Sequence, residues 1–330
     1  MKTVTVRAPI NIAVIKYWGK SDKQLIIPCN DSISMTIDSP DLNTETTITA
    51  DPRLEEDEFF LEGHPEVTIN KRIRKSIETA REFASKLPEN QELLNWKLRI
   101  NSRNTVPTAS GLASSASGIA ALSYALIKLY NLDSIFSLSQ LSCIARLGSG
   151  SACRSLLGGL VHWHGESVEE VGEWDGLNGF VIVFNKERKK IPSTLGMQTT
   201  VKTSSLFQHR ITSIVPQRIT QMLEAIKQHD FQLFAETSMK DSNSFHACCL
   251  DTFPPFLYLT PESMEVISAV HEYNNKLGRT AVGYTFDAGP NAVIFGLETD
   301  PETFLNQLNL ANVTVIPWKL GRGPKIIIYK

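Results

Sequence analysis

Apolar and polar positions alternate along some stretches of the chain and recur at helical spacing along others. Thr3-Val4-Thr5-Val6, Ser32-Ile33-Ser34-Met35-Thr36-Ile37 and residues 44–49 show the period of two expected of half-buried strands. Trp96-Lys97-Leu98-Arg99-Ile100 is a further strand candidate. Phe180-Val181-Ile182-Val183-Phe184 is continuously apolar, which predicts a strand buried on both faces. Val282–Phe286 and Ala292–Phe295 read as strands around a Gly-Pro turn, and Ile326–Tyr329 as a last strand. Within 68–86, Ile69, Ile73, Ile77, Ala80 and Ala84 form a helical stripe with Lys and Arg on the other face. Ile119, Leu122, Leu126 and Leu129 form another. Further helices are expected over about 137–147, twice within 213–249 up to the Pro254-Pro255 break, and over 261–277. Polar residues 185–205, with Pro192 and Gly196, predict a loop that moves or binds; Asp51 to Asp57 predicts a solvated acidic loop.

Strands and helices mix without regular βαβ alternation, so the expected class is α+β. A length of 330 residues predicts two domains, with the boundary near 175–187. A net charge of -2 excludes a global basic field for nucleic acid, so any anionic ligand must meet a local cluster of cations. No apolar run approaches the ~20 residues that span a bilayer. The start, Met1-Lys2-Thr3-Val4, lacks a signal peptide's apolar stretch, and the 5 cysteines are odd in number and scattered. Both features predict a reduced, cytoplasmic protein without nucleic-acid or membrane partners.

Four segments are candidates for chemistry. Pro107-Thr108-Ala109-Ser110-Gly111-Leu112-Ala113-Ser114-Ser115-Ala116-Ser117-Gly118 runs small residues straight into a helix. Backbone N–H groups at such a start, helped by the helix dipole, bind phosphate; close packing of a Ser/Gly-rich helix start is the alternative. It is not a Walker A sequence, because no Gly-Lys-Ser/Thr closes it. Lys16-Tyr17-Trp18-Gly19-Lys20 brackets an aromatic pair and a glycine with two phosphate-binding cations, or is a strand with exposed lysine ends. Gly148-Ser149-Gly150-Ser151-Ala152-Cys153-Arg154-Ser155 has one charge, Arg154, suited to a carboxylate or phosphate, or is a flexible turn. In Phe286-Asp287-Ala288-Gly289-Pro290-Asn291 the lone Asp287 either caps the turn or is a buried catalytic carboxylate. Taken together the four fit one site for a polyanionic substrate and a nucleotide. His162 and His164 alternate beside Trp163, either as a metal pair or as satisfied side chains; Cys248 and Cys249 are expected to be buried thiols.

The loop from Pro107 to Ser117 resembles the nucleotide-phosphate loop of the galactokinase–homoserine kinase–mevalonate kinase–phosphomevalonate kinase superfamily. Lys16 to Lys20, Gly148 to Arg154, Asp241-Ser242-Asn243-Ser244-Phe245-His246 and Phe286 to Asn291 resemble the mevalonate diphosphate decarboxylases within it. The resemblance implies an N-terminal domain like domain 2 of ribosomal protein S5, over 1–180, and a ferredoxin-like C-terminal domain, over 181–330, with the site in the cleft between them. It implies ATP and Mg²⁺, a homodimer, and conversion of 5-diphosphomevalonate to isopentenyl diphosphate, ADP, phosphate and CO2. By the same resemblance Asp287 acts as base or orienter at the 3-hydroxyl, Lys16 positions the reacting groups, Arg154 holds the substrate carboxylate, and Ser115 serves phosphoryl transfer. Tyr17, Trp18, Gly19, Lys20, Arg72, Ser149, Gly150, Ser151, Ala152, Cys153, Arg154 and Thr194 match substrate contacts. Ser102, Asn104, Pro107, Gly111, Leu112, Ala113, Ser114, Ser115 and Ser117 match the nucleotide site. No acidic metal cage is implied, so Mg²⁺ is expected on phosphates, hydroxyls and water. Rival readings are a mevalonate 5-phosphate decarboxylase, a small-molecule kinase that stops after phosphorylation, and a non-catalytic nucleotide binder. Lys20 and Arg72 favour the diphosphate.

Overall fold

The structure, a computed structural model, describes residues 1–65, 69–105, 114–184, 190–308 and 313–327. In chain order the strands are β1 (Lys2–Ile15), β2 (Lys20–Asp22), β3 (Ile27–Pro28), β4 (Ser32–Asp38), β5 (Asn43–Asp51), β6 (Glu58–Leu61), β7 (His64–Pro65), β8 (Lys97–Asn104), β9 (Leu160–His164), β10 (Ser167–Gly172), β11 (Leu177–Val183), β12 (Val282–Phe286), β13 (Ala292–Leu297), β14 (Thr314–Leu320) and β15 (Lys325–Ile326). The α-helices are α1 (Lys71–Ala84), α2 (Ser114–Leu129), α3 (Leu138–Gly148), α4 (Ser193–Thr203), α5 (Ser205–His209), α6 (Val215–Gln228), α7 (Phe231–Asp251), α8 (Pro261–Leu277) and α9 (Asp300–Leu305). The α+β expectation holds.

One 13-stranded sheet runs β12-β13-β11-β14-β4-β1-β5-β8-β6-β7, with β9 and β10 branching from β4 and β15 pairing β1. β1 is its seam. Residues Lys2 to Pro9 pair antiparallel with β5, and Ile10 to Ile15 pair antiparallel with β4, with an irregularity between Ala13 and Ile15. Val6 and Ala8 pack into the core under α1, α2 and α3. Ile10, Ile12 and Val14, on the same alternating face, pack into a second core with β4, β11, β14, α6 and α7. A third core joins α8 to β12 and β13. The anticipated boundary region contains β11, which pairs β13 on one side and β14 on the other.

Local chemistry explains most helix ends. Asn70 caps α1 by accepting from the Arg72 and Ile73 amides. Ser137 and Gln140 form a capping box at α3. Pro261 opens α8, and Gly278, at φ +63°, closes it in the left-handed conformation. No helix among the described residues is long and apolar enough to cross a membrane.

Three expectations change. The stretch 185–205, expected as a loop, contains α4, followed by α5. Thr and Gly in α4 are weak helix formers, and tertiary contact supplies the stability: a Cβ on Gly196 would meet Tyr258, Phe256 and Trp18 within 3.1 Å. Asp57, expected to be solvated, accepts both Arg81 guanidinium nitrogens at 2.9 Å and the Leu98 amide. The last strand covers only Lys325–Ile326, with residues 328–330 outside the described chain.

Candidate active site

β1 stops at Ile15, and Lys16 is fixed at both ends. Its amide donates to Asp241 Oδ2 at 2.7 Å, and its Nζ donates to Asp287 Oδ1 at 2.6 Å. Asp287 directly follows β12. The side chains are 3% and 31% exposed for Lys16 and Asp287, so the pair is sealed at the ammonium and open at the carboxylate. Burial pulls the Lys16 pKa down, opposed chiefly by the Asp287 charge. Asp241, on α7, has no exposed surface. It also accepts Arg210 Nη2 at 2.7 Å and Arg218 Nη1 at 3.1 Å.

Arg154 lies in the 3-10 segment Gly150–Leu156 and is buried. Its Nε and Nη2 donate to Asn11 Oδ1 at 3.1 and 3.0 Å, and Nη1 donates to Ser32 Oγ at 2.8 Å. The guanidinium sits over the Trp163 ring. Arg154 forms no ion pair with a carboxylate among the described residues, and burial draws its pKa down while Asp287 acts the other way. A buried cation held only by neutral oxygens and a ring is a strong acceptor site for a ligand carboxylate or phosphate.

Around these lie the other substrate candidates. The Tyr17 ring stacks obliquely on Trp163, and a Cβ on Gly150 would meet the Tyr17 hydroxyl at 3.1 Å. Two motifs far apart in sequence therefore touch. Trp18 packs edge-on to Phe245 and Tyr258. Tyr17 Oη and Trp18 Nε1 are buried without a hydrogen-bond partner among the described residues. Gly19 has φ +81°, and a Cβ there would meet Cys29, Phe207 and Val201 at 2.9 Å, so only glycine fits. Lys20 is half-buried; burial, then the nearby Arg72 charge, lowers its pKa. Arg72 Nη2 donates to Thr194 Oγ1 at 3.2 Å, joining the first turn of α1 to the first turn of α4. Lys20, Lys23, Thr194, Met197, Gln198 and Lys202 line a pocket of about 250 Å³. Three of these six are cations, which gives the local positive cluster that the net charge withholds globally.

Some expected contacts are placed elsewhere. Ala152 and Cys153 are fully buried in separate cores, which leaves only their main chain for a ligand; Ser149 and Ser151 remain partly exposed. Ser117 Oγ bonds Thr44 Oγ1 at 2.7 Å, Ser102 Oγ bonds Thr46 Oγ1 at 3.0 Å, and Asn104 Oδ1 accepts from Thr44. These three side chains knit α2 and β8 to β5. Ser115 is exposed in the first turn of α2. Pro107, Gly111, Leu112 and Ala113 lie outside the described residues, as does the Ser114 side chain.

Sequence reasoning missed four residues. Asp241 and His246 stood in a quoted motif without a role, and Arg210 and Arg218 carried no local signal. The His246 imidazole is buried against Phe245, Tyr258 and Phe286, and neither ring nitrogen makes a hydrogen bond of ordinary geometry. Burial, then the Lys16 charge, lowers its pKa to about 3. It is neutral at pH 7. Cys248 and Cys249 are buried as expected.

The chain has an enzyme fold of the GHMP-kinase type, shared with its structural matches. Family models match 8–171, as the diphosphomevalonate decarboxylase-like N-terminal domain, and 179–322, as the mevalonate 5-diphosphate decarboxylase C-terminal domain. The chain belongs to the mevalonate diphosphate decarboxylase family. It is 48% identical to the diphosphomevalonate decarboxylase of Schizosaccharomyces pombe, over 97% of this chain and 85% of that one. The crystal structure of a mevalonate 5-diphosphate decarboxylase superposes with a TM-score of 0.91 at 38% identity, covering 99% of this chain and 97% of that one. A solved complex of MDDEF with MVAPP, AMPPCP and magnesium matches at a TM-score of 0.83 and 34% identity, covering 98% of each chain.

Two predictions follow from the buried charges. Asp241→Asn leaves Arg210 and Arg218 short of a counter-charge and should destabilise the fold by about 3–5 kcal/mol, read as a lowered thermal midpoint; an unchanged midpoint contradicts the assigned role. His246 is neutral when folded but takes a proton when unfolded below pH ~6.5, so stability is lost as pH falls from there towards 3. Between pH 6.5 and 5, His246→Gln should lose less stability than the parent, by up to about 1.4 kcal/mol per pH unit. Equal pH slopes in denaturant melts would refute this.

Proposed function

We propose that the protein converts mevalonate 5-diphosphate and ATP into isopentenyl diphosphate, ADP, phosphate and CO2. The observation that carries this reading is the grouping of three features around the end of β1: the Lys16–Asp287 pair, the uncompensated Arg154, and the cationic pocket of Lys20, Lys23 and Lys202 with Arg72 beside it on Thr194. A kinase needs the phosphate cluster and the carboxylate. Decarboxylation adds the need for a cation on the substrate carboxylate, which Arg154 meets.

A tertiary hydroxide leaves poorly. ATP, placed along the start of α2 beside Ser115, supplies the phosphoryl group that makes the oxygen a good leaving group, with Mg²⁺ on its phosphates. Asp287 orients the 3-hydroxyl and takes its proton, and the Lys16 ammonium holds that carboxylate in place. Asp287 returns that proton to the departing phosphate and, ionised again, stabilises the positive charge developing at the tertiary carbon. The electrons of the departing CO2 form the double bond. Arg154 orients the carboxylate, but its neutral partners keep it from being drawn into a tight ground-state ion pair with the protein itself. Tyr17 and Trp18 close the site against water. Lys20, Arg72 and Thr194 bind the diphosphate. The same reading carries a functional division near residue 180, a homodimer on family resemblance, and a cytoplasmic location on the scattered cysteines and the polar start of the sequence.

The test couples ADP release to CO2 release with the 5-diphosphate and the 5-monophosphate. Equal ADP and CO2 from the diphosphate is expected; ADP without CO2 would point to a kinase, and preference for the monophosphate would replace the substrate. Asp287→Asn should lower kcat by about 10²–10⁴-fold with KM nearly kept. Lys20→Ala and Arg72→Ala should each raise the KM for the diphosphate by about 10- to 100-fold, with a smaller effect on kcat. Unchanged KM in both would remove the pocket from the substrate site.

A further inference from the structure

We propose that the β9–β10 hairpin carries a transition-metal site, built from His162, His164 and Glu169, that binds one Zn²⁺-like ion apart from the catalytic centre. His162 and His164 are two apart on β9, so they share a face. Glu169 on β10 stands directly opposite His162 in the antiparallel register, which brings its carboxylate to that face.

The distances fit the geometry of such an ion. Zn²⁺ bonds to imidazole nitrogen and carboxylate oxygen at about 2.0–2.1 Å, which makes a tetrahedral edge of about 3.3–3.4 Å. Glu169 Oε1 lies 3.4 Å from His162 Nδ1 and 3.7 Å from His164 Nε2. All three ligand atoms lie within 4.8 Å of one another. A small rotation of His164, which is 44% exposed, closes the remaining gap.

The surroundings prepare His162 as a ligand. Its Nε2 faces Asp31 Oδ2 at 3.3 Å. A carboxylate there accepts a hydrogen bond from Nε2–H and leaves the Nδ1 lone pair turned to Glu169, the carboxylate–histidine–metal arrangement. His162 is only 9% exposed, whereas Glu169 is 57% exposed. One ligand is therefore locked and the outer side is open, which leaves a fourth position for water. Two imidazoles of three ligands select Zn²⁺, Ni²⁺, Co²⁺ or Cu²⁺ over Mg²⁺ or Ca²⁺. The site backs onto the active site without entering it. Between the two histidines Trp163 points to the opposite face, where its ring meets Tyr17 and Arg154. A bound ion would staple β9 to β10 behind that ring.

The same contacts also suit ion pairs of protonated histidines, and the two cases respond oppositely to pH: metal binding strengthens as the imidazoles lose protons. The experiment is a Zn²⁺ titration of the full-length, chelator-stripped protein against a chromophoric chelator at pH 7.5, with the Co²⁺ spectrum as a second readout. The expected result is one equivalent per chain, weakened at least about tenfold at pH 5.5 and at least about tenfold in both His164→Ala and Glu169→Ala. Both substitutions are at exposed positions, and unchanged circular dichroism confirms that the fold is kept. The Co²⁺ complex should lack thiolate charge-transfer bands, since no cysteine belongs to the site. Absence of stoichiometric Zn²⁺ binding, binding that both variants retain, or thiolate bands in Co²⁺ would each overturn the proposal.

Discussion

Asp241 carries a carboxylate at a place with no exposed surface, and the active site depends on it. A buried carboxylate is tolerated only when its charge and lone pairs are met. Arg210, Arg218 and the Lys16 amide meet them. The carboxylate thereby ties α7 and α6 to the residue at which β1 ends. With Asn30 and Arg210 also donating to the Lys16 carbonyl, that tie fixes the chain leaving the sheet at Ile15, and the Lys16 ammonium meets Asp287.

The long strand β1 explains why chemistry gathers at its end. Its first half belongs to the sheet under α1, α2 and α3, and its second half belongs to the sheet under α6 and α7. The residues just beyond it stand where both halves contribute. Arg154 arrives from the segment after α3, and Asp287 from the end of β12. Asn11, within the second half of β1, accepts Arg154 with its side-chain oxygen and donates to Ser151 and Ser155 with its nitrogen. One small polar residue in the apolar second half of the strand thus orients the buried guanidinium.

What was legible followed local physics. Alternation located the start of β1, β4 and β5, helical spacing located α1 to within about three residues at either end, and small residues flanking single charges marked Lys16, Arg154 and Asp287 as candidates. What was missed depends on contacts between distant segments. α4 has few apolar residues of its own and exists because Gly196 seats it on Trp18 and Phe256. Asp241 stood in a quoted motif without a role, and its role appears only when Arg210 and Arg218 are placed beside it.

Arg72 belongs to the first turn of α1, and Thr194 belongs to the first turn of α4, so their hydrogen bond links two helices distant in sequence at the edge of the cationic pocket. Lys20 lies near Arg72 without an acidic partner among the described residues, and burial first, then the Arg72 charge, lowers its pKa. A polyanion in the pocket would offset that repulsion, and under the proposed function the substrate diphosphate is the group that does so, remote from the reacting carbon.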